Sequence, residues 1–173
     1  MENQANSKSI ILNNGLYYGL ILVLASLITY ALGVHLDPTA GYINLGVLAF
    51  VLIGFPIIGM SKFKKDNNDF MSWGQGVKIG IGTVLIGTII SLLYQHVFTT
   101  FIEPEFYSQV ELVTRNGLLD AGLTEDQIDA QIEMQSKFQG TIIGDALGIL
   151  FMTFIGFIIS SHRNIDNNNP SQN

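Results

Sequence analysis

The chain has 173 residues, 48% of them apolar and only 13% charged, about half the ~25% charge usual for a soluble domain. It has no cysteine, which excludes disulfide frameworks, thiolate nucleophiles and cysteine-based metal centres. The net charge of −6 offers no basic surface to nucleic acid.

Residues 1–14 read as a polar tail, followed by the first of four segments that meet the roughly 20 apolar residues a helix needs to cross a ~30 Å bilayer core. These spans are expected at about 16–34, 42–60, 77–101 and 141–160. None contains Arg, and the last two hold only Lys78, His96 and Asp145 as ionisable groups. They lack the polar faces at 3.6-residue spacing that a soluble bundle would show. A cleaved leader is the competing reading of the first segment. Its apolar stretch is longer than the roughly 7–15 residues typical of one, which favours a retained span.

Pro56 should kink the second span or free one carbonyl there. The loop 61–72 carries "KFKK". Tyr17, Tyr18, Tyr30, Tyr42, Tyr94, Tyr107 and Trp73 all fall near proposed span ends, where amphipathic rings form a belt at headgroup level. The third span carries Gly76, Gly80, Thr83, Gly87 and Ser91 as a stripe of small residues. The fourth carries Gly140, Gly144, Gly148, Gly156 and Ser160, and the first Gly15 and Gly19. Such stripes let helix backbones approach closely in lipid. They either hold the bundle together or form a seam for a homo-oligomer or another membrane protein.

Between the third and fourth spans lies an acidic insert, residues 103–138. From Ile102 to Gln135 it holds Glu103, Glu105, Glu111, Asp120, Glu125, Asp126, Asp129 and Glu133 against one cation, Arg115. Pro104 suits the first position of a helix. Phe106, Val110 and Val113 share one helical face, with breakers at Asn116-Gly117 and Gly122. Thr124 and Gln127 form a capping box for a second helix, whose face runs through Ile128, Ile132, Gln135 and Phe138. The insert is therefore expected as a helical hairpin, either a cap over the bundle or a docking surface for a basic partner. Residues 162–173 form a second polar tail.

An even number of spans puts Lys8, Lys62, Lys64, Lys65, Lys78 and Arg163 on one side. Only Arg115 and Lys137 lie on the other, so both ends are expected in the cytoplasm and the insert outside it. Lys78 can snorkel to the near interface. Asp145, His96 and His35 fall at similar depth near the other one, where they could form a proton relay or a loose metal site. Alternatively, Asp145 reaches interfacial water or bonds a neighbouring helix. Enzymatic signatures are missing. "IGDALG" has Ile142 where intramembrane aspartyl proteases carry a glycine, and no second intramembrane Asp completes a dyad. There is no HExxH, G-x-S-x-G, P-loop or dinucleotide fingerprint.

"FMSWGQGVKIG", "FIEPEFYSQ" and the Gly-Leu-Thr-Glu-Asp-Gln-Ile helix start resemble the bacterial domain-of-unknown-function family 4199. The resemblance covers roughly 14–161 and brings no activity, cofactor or site residue with it. It implies an inner-membrane protein of a bacterium with two membranes, its insert periplasmic. The expectation is an all-α integral membrane four-helix bundle, residues 15–161, with an extramembrane acidic helical hairpin. Its expected role is non-catalytic, accessory or interaction-based, with no cofactor. The alternative is a small oligomeric transporter or proton-linked channel using Asp145 and His96.

Overall fold

The computed structural model describes residues 6–167 and is all-helical, with no strand among the described residues. The helices are α1 (Ser7–Ala31), α2 (Pro38–Asp66), α3 (Trp73–Val97), α4 (Phe106–Asp120), α5 (Glu125–Ser136) and α6 (Ile142–Asn167). A π-helical turn, Phe98–Ile102, continues α3. α1, α2, α3 with its π turn, and α6 are long and apolar enough to cross a membrane. α4 and α5 do not reach that length.

Local chemistry sets the helix ends. Asn6 caps α1 by accepting from the Ser9 amide (3.1 Å), so helix replaces most of the expected polar tail. Residues 1–5 and 168–173 of the two tails lie outside the described residues. α2 starts on Asp37, whose carboxylate accepts from the Thr39 amide (2.6 Å) with Pro38 in the first turn. It runs unbroken through the buried Pro56 to Asp66, shortening the expected loop. Phe63, 3% exposed, anchors that extension. Asn68 and Asp69 then take left-handed conformations, φ 53° and 59°, which these short polar side chains tolerate. Ser72 and Gln75 close a full capping box that opens α3 at Trp73, ahead of the expected 77.

α3 is central. Its most extensive contact is with α1, then with α6 and α2. The expected stripe makes this possible, since Gly76, Gly80, Thr83 and Gly87 are all buried. A methyl at Gly87 would enter the Tyr18 ring, and one at Gly80 would meet Ser160. On α1, Gly15 and Gly19 face Ile86 and Ile90, with the Thr83 and Gly87 carbonyls 3.1 Å from their Cβ positions. The α3 stripe is thus used within the bundle.

The α6 stripe is corrected in part. Gly156 and Ser160 meet Val84 and Gly80, but Gly140 precedes the helix in a left-handed turn (φ +70°) against Tyr107. Gly144 faces the Phe138 carbonyl and Gly148 faces open space. The tyrosine belt also needs revision, because Tyr18 is 1% exposed and packs against α3. With α1 starting at Ser7, Tyr18 lies mid-helix, and Gly87 leaves room for its ring.

Two clusters fill the bundle along its length. Ile10, Met60, Phe63, Met71 and Ile79 pack at the end bearing "KFKK". Tyr18, Val51, Leu52 and Val84 pack farther along. α4 and α5 pack on one another, and neither forms an extensive contact with a spanning helix. α4 continues through Asn116-Gly117 and ends before Gly122 (φ +83°), so only the second expected breaker breaks it. It also starts two residues after Pro104.

Candidate functional site

The sequence singles out Asp145, His96 and His35, and the structure divides them into two pairs at the hairpin end of the bundle. His96, in the last turn of α3, places Nε2 2.6 Å from Asp145 Oδ2, in the first turn of α6. A carboxylate is favoured there by the helix dipole. The side chains are 49% and 25% exposed. His35 does not join them.

His35, on the α1–α2 connection, hydrogen-bonds Glu103 Oε1 through Nε2 (3.0 Å), with Oε2 2.9 Å away but without hydrogen-bond geometry. This pair is more enclosed, at 17% and 14% exposure. Aromatic rings surround the imidazole: Phe106 stacks on it at 6.4 Å, and Tyr30 meets it edge-on at 5.1 Å. Phe98 of the π turn stands against both Tyr30 and Phe106. His35 Nδ1 and the Tyr94 hydroxyl are buried here without a hydrogen-bond partner among the described residues. The pair fastens the α1–α2 turn to the point where the chain leaves α3. Because the three candidates separate, they form no metal site together, and no other group of three metal-ligating side chains occurs among the described residues.

A cavity of about 480 Å³ lies one helical turn inside the His96–Asp145 pair, lined by residues of all four spanning helices. Its α3 wall includes Leu92, four residues before His96, and its α6 wall starts at Gly148, three after Asp145. Leu22, Leu48 and Met152 supply apolar surface, and the Tyr18 and Thr88 hydroxyls are buried beside it. Those two hydroxyls approach one another without making a hydrogen bond of good geometry.

In the hairpin, Arg115 donates to Glu125 (2.9 Å) and Asp129 (2.6 Å), bridging α4 to α5. The Asp129 and Glu125 carboxylates hold the Arg115 pKa above its ordinary value. Ile128, fully buried, is the one core residue of the two helices. Gln127 accepts from the Thr124 amide (3.0 Å) as the capping pattern predicts. Lys137 pairs with Glu133 (2.9 Å). Glu105, Glu111, Asp120 and Asp126 have no ion pair among the described residues.

Sequence reasoning missed Glu103 as a partner of His35, the cavity, and the roles of Tyr18, Tyr94 and Thr88. Glu103 sits inside "IEPEF" and reads locally as a helix-start carboxylate; the π turn beside it, a local irregularity often found at functional sites, is visible only in the structure.

Four spanning helices in an all-helical chain define a multi-pass membrane protein. Residues 13–161 match the protein family of unknown function DUF4199, and the chain belongs to that family. No curated protein and no solved structure gives a match.

Proposed function

We propose that the chain is a non-catalytic accessory protein of a bacterial inner membrane, both ends cytoplasmic, whose periplasmic acidic hairpin meets a partner with a basic surface. The observation that carries this reading is the hairpin's isolation. It contacts the bundle at its root, where Phe106 stacks on His35 and Tyr107 lies against Gly140, and it carries four carboxylates without an ion pair among the described residues. A cap over the bundle would instead bury an apolar face on the spanning helices. Complementary charge speeds encounter and selects partners.

The test is affinity capture of the full chain from native membranes in mild detergent, beside a chain with Glu111→Gln, Asp120→Asn and Asp126→Asn. A stoichiometric partner that is lost on neutralisation, and released from the native chain by salt, supports the adapter. Recovery of the chain alone, at one size in both forms, ends that reading and leaves the hairpin a solvated appendage.

A second reading has its own observation. The His96–Asp145 pair stands one turn from a cavity between the spanning helices, an arrangement suited to proton-linked transport by an oligomer.

A further inference from the structure

The glycines facing the cavity differ from those at the helix contacts. At Gly15, Gly19, Gly80 and Gly87 a neighbouring helix occupies the space a side chain would need. Gly41 and Gly148 line the cavity, and a Cβ at either would meet nothing within 4 Å. Their missing side chains leave volume unfilled rather than drawing helices together. The cavity's volume, about 480 Å³, lies within the roughly 300–1,000 Å³ of small-molecule sites.

The lining states what could enter. It contains no carboxylate, ammonium, guanidinium or imidazole, so a charged group would lose its hydration there without gaining a counter-charge. Leucines of α1, α2 and α3 and Met152 of α6 suit an apolar chain. On α2, Gly41 and Leu45 are exposed, so that side of the cavity is open at the surface of the bundle. Polar chemistry is confined to uncharged groups. Among these, Tyr18 and Thr88 bury hydroxyls that make no good hydrogen bond, and such groups gain from a ligand that supplies one.

We propose that this cavity binds a neutral amphiphile dissolved in the membrane, an apolar chain bearing one uncharged hydroxyl or carbonyl group that the Tyr18 and Thr88 hydroxyls receive. The chain lies against Leu22, Leu48, Leu92 and Met152. The site does not depend on the hairpin, so loss of the adapter reading leaves it standing.

The experiment uses the purified full chain in nanodiscs and a long-chain alcohol carrying a mid-chain diazirine. After photolysis, labelled peptides are mapped and labelling is competed with unlabelled alcohol, the matching fatty acid anion and the matching alkylammonium. Labelling is expected to concentrate on Leu92 and Met152, with the alcohol competing at least about tenfold better than either ion. Gly148→Phe, whose new side chain enters open space, should remove labelling while the chain elutes and melts as before. Gly41→Leu is the second filling variant should Gly148→Phe fail to assemble. Tyr18→Phe with Thr88→Val should weaken binding about tenfold through the lost hydrogen bonds. Even labelling of outward residues such as Phe50 and Phe151, unchanged by filling the cavity, would identify bulk lipid contact and overturn the site. Equal competition by the ions, or full binding in the Tyr18/Thr88 variant, would overturn recognition of a neutral polar group.

Discussion

Asp145 and His96 meet at 2.6 Å, yet the imidazole is half exposed, and distance alone does not make such a pair strong. Partly solvated ion pairs contribute about 0–1 kcal/mol, and a carboxylate in a helix's first turn about 0.3–1 kcal/mol. Asp145→Asn and His96→Gln should therefore each cost under about 1 kcal/mol in thermal or denaturant unfolding in micelles. The transport reading asks more of the same atoms. Proteoliposomes holding a pH-sensitive dye should acidify under an imposed proton gradient, and Asp145→Asn should slow this at least about tenfold. Equal leak through the native chain, the variant and empty liposomes would leave the pair a clasp between α3 and α6. Antiparallel helices fix depth, so sequence could place these two residues level with each other. It could not separate His35 from them, because that depends on Glu103, 68 positions away, which reads locally as a helix-start carboxylate. The cavity was illegible for a related reason. Gly148 and Gly87 look alike in a spacing pattern, and only the facing helix decides which one is filled.

The spanning elements were legible because hydropathy over twenty residues is a strong signal, while their ends depend on single side chains. Ser72 and Gln75 form the capping box that starts α3 at Trp73, and hydropathy alone placed that start later. Asn116-Gly117 reads as a breaker, but a helical glycine costs only about 1 kcal/mol relative to alanine. α4 absorbs that cost, with the Arg115 bridge and the half-buried Leu118 on either side. Asp37 shows an end set by charge. Hydrogen bonds from the Thr39 amide and hydroxyl and the Ala40 amide hold its carboxyl below the ordinary 3.8. A pKa depressed in the folded state means a contribution present above about 3.8 and lost as pH falls through the lower folded value. Acidification toward pH ~2 should thus loosen the first turn of α2. Asp37→Asn keeps the cap without titrating. Amide exchange at Thr39 and Ala40, followed from pH ~6 to ~2 and referenced to the variant, should show acid-induced loss of protection in the native chain alone. Parallel profiles would mean that the cap's charge does not matter.

Across the whole molecule, the two ends of the bundle differ in kind. One end gathers Lys62, Lys64 and Lys65 at the Met60–Phe63 core, with Lys8 in the adjoining first turn of α1 and Lys78 in the second turn of α3. The other carries aromatic rings, both histidine–carboxylate pairs, the cavity and the hairpin. Its cations, Arg115 and Lys137, are each held by acids of the same hairpin. Cations near span ends remain cytoplasmic while acids count for little, so this polarity should fix the hairpin outside the cytoplasm. Alkaline phosphatase fused after Ser108 should be active and a fusion after Lys65 inactive, with expression matched by immunoblot. The reverse pattern would turn the chain over. The four unpaired carboxylates would then face cytoplasmic partners, and protons would reach Asp145 from the cytoplasmic side. Activity at both fusions would show that α2 or α3 does not complete its crossing, which conflicts with the central packing of α3 against α1, α2 and α6. Sidedness therefore decides which compartment holds the hairpin's partner, whereas the cavity, reached from the bilayer along α2, should fill in either orientation.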